Sequence, residues 1–126
     1  MRSITWMVAA ALSLAACGGS TGPDGGGVTG GGPAGHVIVG NIFFRSAHNG
    51  SQNPAVDTIA AGSSVTWSWN AAGSHSIQST GTNIFLNSVV MSASNSGYVV
   101  TFQNPGTYTY DCGVHGSLMT GRIVVQ

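Results

Sequence analysis

Within eight residues the chain places a thiol, an imidazole and a thioether: Cys112, His115 and Met119, in Tyr110-Asp111-Cys112-Gly113-Val114-His115-Gly116-Ser117-Leu118-Met119. Soft sulfur donors beside imidazole suit copper in both oxidation states. Thiolate and thioether favour Cu(I), and imidazole also serves Cu(II). Such a set needs little rearrangement when one electron is gained or lost. A trigonal site requires a second imidazole, and His75, in Asn70-Ala71-Ala72-Gly73-Ser74-His75-Ser76-Ile77, is placed to supply it. Each residue alone has a plainer reading: a buried free Cys, a structural His, a Met filling the core. Their joint spacing favours one copper ion held by His75, Cys112, His115 and Met119.

The elements that must position these residues read as strands. Ser63 to Trp69 (SSVTWSW) alternates, with Val65, Trp67 and Trp69 on one face and Ser64, Thr66 and Ser68 on the other. Thr107 to Cys112 (TYTYDC) alternates again and puts Tyr108, Tyr110 and Cys112 on one face. His36 to Phe44 (HVIVGNIFF), Tyr98 to Phe102 (YVVTF, before the turn Asn104-Pro105-Gly106) and Gly121 to Gln126 (GRIVVQ) complete the pattern. Thr82 to Met91 leaves room for a short turn of helix. The sum predicts an all-β, antiparallel β-sandwich, with the ligands gathered at one end of it.

Two stretches carry a family resemblance: Val65-Thr66-Trp67-Ser68-Trp69-Asn70 leading to His75, and Asn104-Pro105-Gly106-Thr107-Tyr108-Thr109-Tyr110-Asp111-Cys112 leading through His115 to Met119 and Thr120-Gly121-Arg122-Ile123-Val124-Val125. In this the chain resembles the cupredoxins, the blue copper proteins related to plastocyanin and amicyanin. The resemblance implies a Greek-key sandwich. It makes His75, Cys112 and His115 the equatorial ligands and Met119 the axial one. It also implies that the Ser76 amide points toward the Cys112 sulfur and that His115 is the more exposed imidazole, through which electrons pass. Three residues separate His115 from Met119, intermediate between the plastocyanin-like and amicyanin-like loops, and there is no Pro beside His115.

The N-terminus reads as an address. Met1 to Ala16 (MRSITWMVAAALSLAA) has one basic residue, then an apolar run too short to span a bilayer, ending in small residues. Leu14-Ala15-Ala16-Cys17 resembles a lipobox, which makes Cys17 a lipidated N-terminus and residues 1–16 a signal peptide. Gly18 to Gly35 (GGSTGPDGGGVTGGGPAG) has nothing to bury and reads as a flexible linker with a reach of roughly 20–25 Å. The copper-binding domain is then 36–126. With Cys17 acylated, Cys112 is a lone thiol in an oxidising compartment, a liability unless it is buried or ligated.

Charge excludes several functions. Arg2, Arg45 and Arg122 face Asp24, Asp57 and Asp111, with no Lys and no Glu; nucleic acid, which demands many cations, is ruled out. Four protein ligands leave little room for a substrate. No second Cys lies near Cys112 for a binuclear site and no His-x-His pair is present, so an enzyme is not expected. His36 and His48 read as structural, Trp67 and Trp69 as core, and Met91 and Arg45 have no role. The expectation is a monomeric, exported electron carrier, lipid-anchored to a bacterial membrane and facing periplasm or cell exterior. It serves redox protein partners that dock on an apolar surface around His115, including Val114 and Leu118. Copper storage or delivery with the same ligands is the alternative.

Overall fold

The alternation in SSVTWSW builds the central rail of one sheet. In the computed structural model, which describes residues 31–70, 73–92 and 97–126, this segment is β4 (Ser63–Trp69). Val65, Trp67 and Trp69 are buried, while Ser64 is exposed and Thr66 and Ser68 are half-buried. Three further strands join it: β1 (His36–Gly40), β2 (Phe43–Ser46) and β6 (Gly97–Phe102), in the order β2-β1-β4-β6. The second sheet has the order β3-β8-β7-β5, from β3 (Ala55–Ile59), β5 (Gln78–Thr80), β7 (Gly106–Cys112) and β8 (Gly116–Val125).

The all-β sandwich expected from the sequence is present, with each sheet mixed. β1 runs parallel to β4 and β3 parallel to β8, and the other pairs are antiparallel. The reason is connectivity. The chain leaves β2 for β3 in the opposite sheet and returns at β4, so β1 and β4 are joined by a crossover rather than a hairpin.

Several boundaries differ from the sequence reading. HVIVGNIFF is two strands, because Asn41 and Ile42 turn the chain, Ile42 with φ +59°. β3 and β5 were not anticipated, and β8 starts at Gly116 rather than Gly121. Residues 82–91 form no helix and no strand; Met91 alone among them makes a β-bridge, to His75. The signal peptide, Cys17 and linker residues 18–30 lie outside the described residues. The linker's last residues do not: Gly32 N–H donates to Ala47 O (3.1 Å), Gly35 N–H donates to Asp57 Oδ1 (3.1 Å) and Gly35 O accepts from Thr66 N–H (2.8 Å). The described chain engages the sandwich before His36.

Between the sheets the largest buried side chains are Trp67, Trp69, Tyr110 and Phe44. Tyr110 meets Phe44 and Trp67 edge-on, with centroids 5.0 and 5.3 Å apart. Such pairs add about 0.5–1.5 kcal/mol each beyond area burial. Burial, with the Asp57 charge adding to it, raises the Tyr110 pKa and keeps the phenol protonated. This aromatic layer backs β7 two residues before Cys112, so the thiol sits on a strand that cannot shift.

Candidate metal centre

Tyr110 and Cys112 share the inward face of β7, and both are buried. The β7–β8 ladder runs in register from Gly106↔Val125 to Asp111↔Thr120, then jumps to Cys112↔Gly116. Without that irregularity Cys112 would oppose Met119. The shift frees residues 117–119 as slack and folds 112–116 into a tight turn closed by His115 N–H to Cys112 O (3.2 Å). Gly116 has φ +57°, where a side chain would be strained. His115 is half-buried at the turn, while Val114 and Leu118 beside it are exposed.

His75 arrives from the other sheet's direction, after β4. Its backbone pairs both ways with Met91, N–H to O at 3.0 Å and O from N–H at 2.9 Å. The imidazole is fully buried. Gly73, at φ +114°, leaves the space the ring needs, since a Cβ there would lie 3.1 Å from Nε2.

The donor atoms of His75, Cys112 and His115 all lie within 4.8 Å of one another. Cys112 Sγ is 3.9 Å from His75 Nδ1 and 3.5 Å from His115 Nδ1. Metal–sulfur and metal–nitrogen bonds of about 2.3 and 2.0 Å, opened to trigonal or tetrahedral angles, place a sulfur and a nitrogen donor about 3.5–3.7 Å apart. The residues therefore fit a metal, and thiolate with imidazole suits copper. Met119 is fully buried on the inward face of β8, which it shares with Gly121, Ile123 and Val125. His75, Cys112, His115 and Met119 thus form a candidate ligand set for one copper ion.

The Ser76 N–H points at Cys112 Sγ (3.5 Å), as the resemblance implied, and the Ser76 hydroxyl accepts from Gly113 N–H at 3.0 Å. One residue thereby holds both the sulfur and the turn behind it. Asp111 lies next to Cys112, half-buried, and burial raises its pKa.

Two positioning residues escaped the sequence reading. Met91 holds the His75 backbone. Asn53 clamps the ligand turn: its Nδ2 donates to Ile42 O and Leu118 O (3.1 Å each), and its Oδ1 accepts from Phe44 N–H (3.2 Å) and Thr120 N–H (3.3 Å). Neither carries a local signal, because every partner is distant in sequence or made through backbone. Asn53→Gly keeps the backbone freedom that φ +40° requires and removes the clamp. Denaturant titration is expected to show a loss of about 1–3 kcal/mol, with faster exchange of the Leu118 and Thr120 amides.

Burial, then the nearby His115, lowers the His75 pKa from its ordinary 6.5. The folded metal-free protein thus binds this proton less readily than the unfolded chain. Its contribution is unopposed above pH 6.5 and is lost as pH falls from 6.5 through the lowered folded value. The melting temperature of metal-free protein should decline over that window, and His75→Gln should flatten the decline.

Comparison with known proteins agrees with this geometry. The family model described as copper-binding proteins of the plastocyanin/azurin family matches residues 51–126. Chloroplast plastocyanin of Tetradesmus obliquus is 33% identical over 82 residues, 58% of this chain and 57% of that protein; the chain spans little more than half of this relative. The fold superposes on a purple cupredoxin from Nitrosopumilus maritimus with a TM-score of 0.58 and 24% identity, over 72% of this chain and 98% of that one. A reduced amicyanin variant gives a TM-score of 0.59 and 25% identity, over 74% and 82% of the two chains. The sandwich, the donor cluster and the family match together place this chain in the plastocyanin/azurin family of copper-binding proteins.

Proposed function

We propose that the protein carries single electrons between redox proteins outside the cytoplasm, as a monomer tethered to a bacterial membrane by lipid on Cys17, with residues 18–31 as the tether. The observation that carries the reading is the donor cluster, with Cys112 Sγ at 3.9 and 3.5 Å from the two imidazole nitrogens. Copper bound there supplies the one-electron Cu(I)/Cu(II) change. His75, Cys112 and Met119 are buried, so water is kept from most of the donor set. His115 reaches toward solvent and is the side chain that can hand an electron outward. Val114 and Leu118, 49% and 69% exposed, flank it as an apolar docking rim.

The test is one equivalent of Cu(II) added to detergent-solubilised protein. An intense blue colour should develop, bleach with ascorbate and return with ferricyanide, with rapid electron self-exchange between oxidised and reduced protein. Slow self-exchange with ready loss of copper to a chelator would favour storage or delivery. Mass spectrometry of the mature N-terminus checks the lipid on Cys17 separately.

A further inference from the structure

From Thr58 to Tyr110 the chain contains no Asp, Glu, Lys or Arg. Within that stretch, residues 82–91 pass between β5 and β6, the edge strands of the two sheets. The segment is held at fixed points: Phe85 N–H to Ser79 Oγ (3.0 Å), Ser79 N–H to Asn87 Oδ1 (2.8 Å), Ser88 N–H to Ile77 O (2.9 Å), and the Tyr98 hydroxyl to Leu86 O. Phe85 turns inward against the core. Its neighbours turn out: Ile84, Leu86 and Val89 are 74%, 79% and 75% exposed, and Val90 and Val99 more than half exposed. A shallow groove beside them is lined by Ile84, Leu86 and Val100 on one part and by Thr101, Gln103 and Asn104 on another. Anchored backbone with outward aliphatic side chains is a standing apolar strip, of a kind monomeric soluble proteins rarely keep uncovered.

The chemistry of the strip favours lipid as its cover. The projecting groups are aliphatic, set among neutral Asn83, Asn87 and Ser88, with Tyr98 and Tyr108 at the margin; that is a fit to hydrocarbon below and headgroups above. Reach favours it too. Gly32 is bonded to Ala47, just beyond β2, and β2 and β6 are the opposite edges of one sheet. Three inter-strand steps of about 4.8 Å separate those edges by about 14 Å. A coil of the glycine-rich composition of residues 18–31 would reach about 20 Å, enough for a chain anchored at Cys17 to lay the β5–β6 edge on the bilayer. We propose that it does so, and that the strip from Ile84 to Val90 with Val99 is a lipid-contacting face that fixes the domain's orientation. The inference rests on the lipid-anchored reading above.

The experiment uses the full lipidated chain in vesicles of phosphatidylethanolamine and phosphatidylglycerol, beside Leu86→Asn/Val89→Asn prepared identically. Hydrogen exchange across 84–90 and 98–101 should be about tenfold slower in the parent than in the variant. Both should float with the vesicles, and exchange in β1 and β4, which reports folding, should match. Equal exchange in parent and variant overturns the lipid face and leaves the anchor standing. Protection that vanishes when protein is diluted at constant lipid assigns the strip to a second copy and also overturns it. A mature N-terminus without lipid overturns the anchor and the lipid face together.

Discussion

Cys112→Ser should abolish the blue colour outright while leaving the protein folded. The colour of a copper thiolate comes from sulfur-to-metal charge transfer, and Cys112 is the sole thiol among the described residues. Its Sγ also sits between the two imidazoles, closer to each than the 4.8 Å that bounds the whole cluster. A serine hydroxyl is a hard, weakly acidic donor and cannot replace thiolate for Cu(I). The two histidines remain, so weak Cu(II) binding with a pale spectrum is expected, and retention of Cu(I) should fall by orders of magnitude. Absorbance and Cu(I) competition measure both. An intense colour surviving in Cys112→Ser would remove the thiolate from the site. The fold should tolerate the change, because Ser is nearly isosteric and the Ser76 N–H can donate to a hydroxyl oxygen.

The second large effect is structural. Gly121 lies opposite Tyr110 in the β7–β8 ladder, and a Cβ at 121 would come within 2.2 Å of the Tyr110 ring and hydroxyl. That ring cannot yield, because it is buried with Phe44 and Trp67 against it. Gly121→Ala should therefore cost about 3 kcal/mol or more, a large part of the 5–15 kcal/mol typical of a domain. Gly40→Ala makes a useful contrast. Its Cβ would approach the Phe43 ring at 2.1 Å, but Phe43 is half-buried and can swing toward solvent, so about 1 kcal/mol is expected. Thermal denaturation of the two variants tests the difference. Pairing Gly121→Ala with Tyr110→Leu should restore part of the loss if the ring is the cause.

How much of this could be read from the chain depended on whether a feature is local. Cys112, His115 and Met119 are close in sequence, and the register shift that gathers them is confined to one hairpin. β4 and β7 were legible because strict alternation reports a half-buried strand. β3 was not. AVDTI carries a buried Asp57, whose Oδ1 accepts from the Ser46 hydroxyl and the Gly35 N–H, and a charge in mid-strand argues against burial until those partners are known. β5 is three polar residues that are a strand only because β7 pairs with them. The turn at Asn41–Ile42 was hidden by β-branched and aromatic neighbours that read as continuous strand. Asn53 could not be found at all, since its four side-chain bonds end on the backbone of Ile42 and Phe44 on one side and of Leu118 and Thr120 in β8 on the other.

The arrangement of the second sheet also bears on time. β3 has one ladder partner, β8, although Ala55 and Gly121 are far apart along the chain. Until β8 emerges from synthesis, β3 has nothing to pair with and β7 lacks its hairpin mate. Pairings of such long separation must close large loops before they contribute. Proteins dominated by them fold on the order of milliseconds to seconds. The second sheet therefore stays incomplete until β8 has been made, and Cys112, His115 and Met119 can meet only once that strand is present.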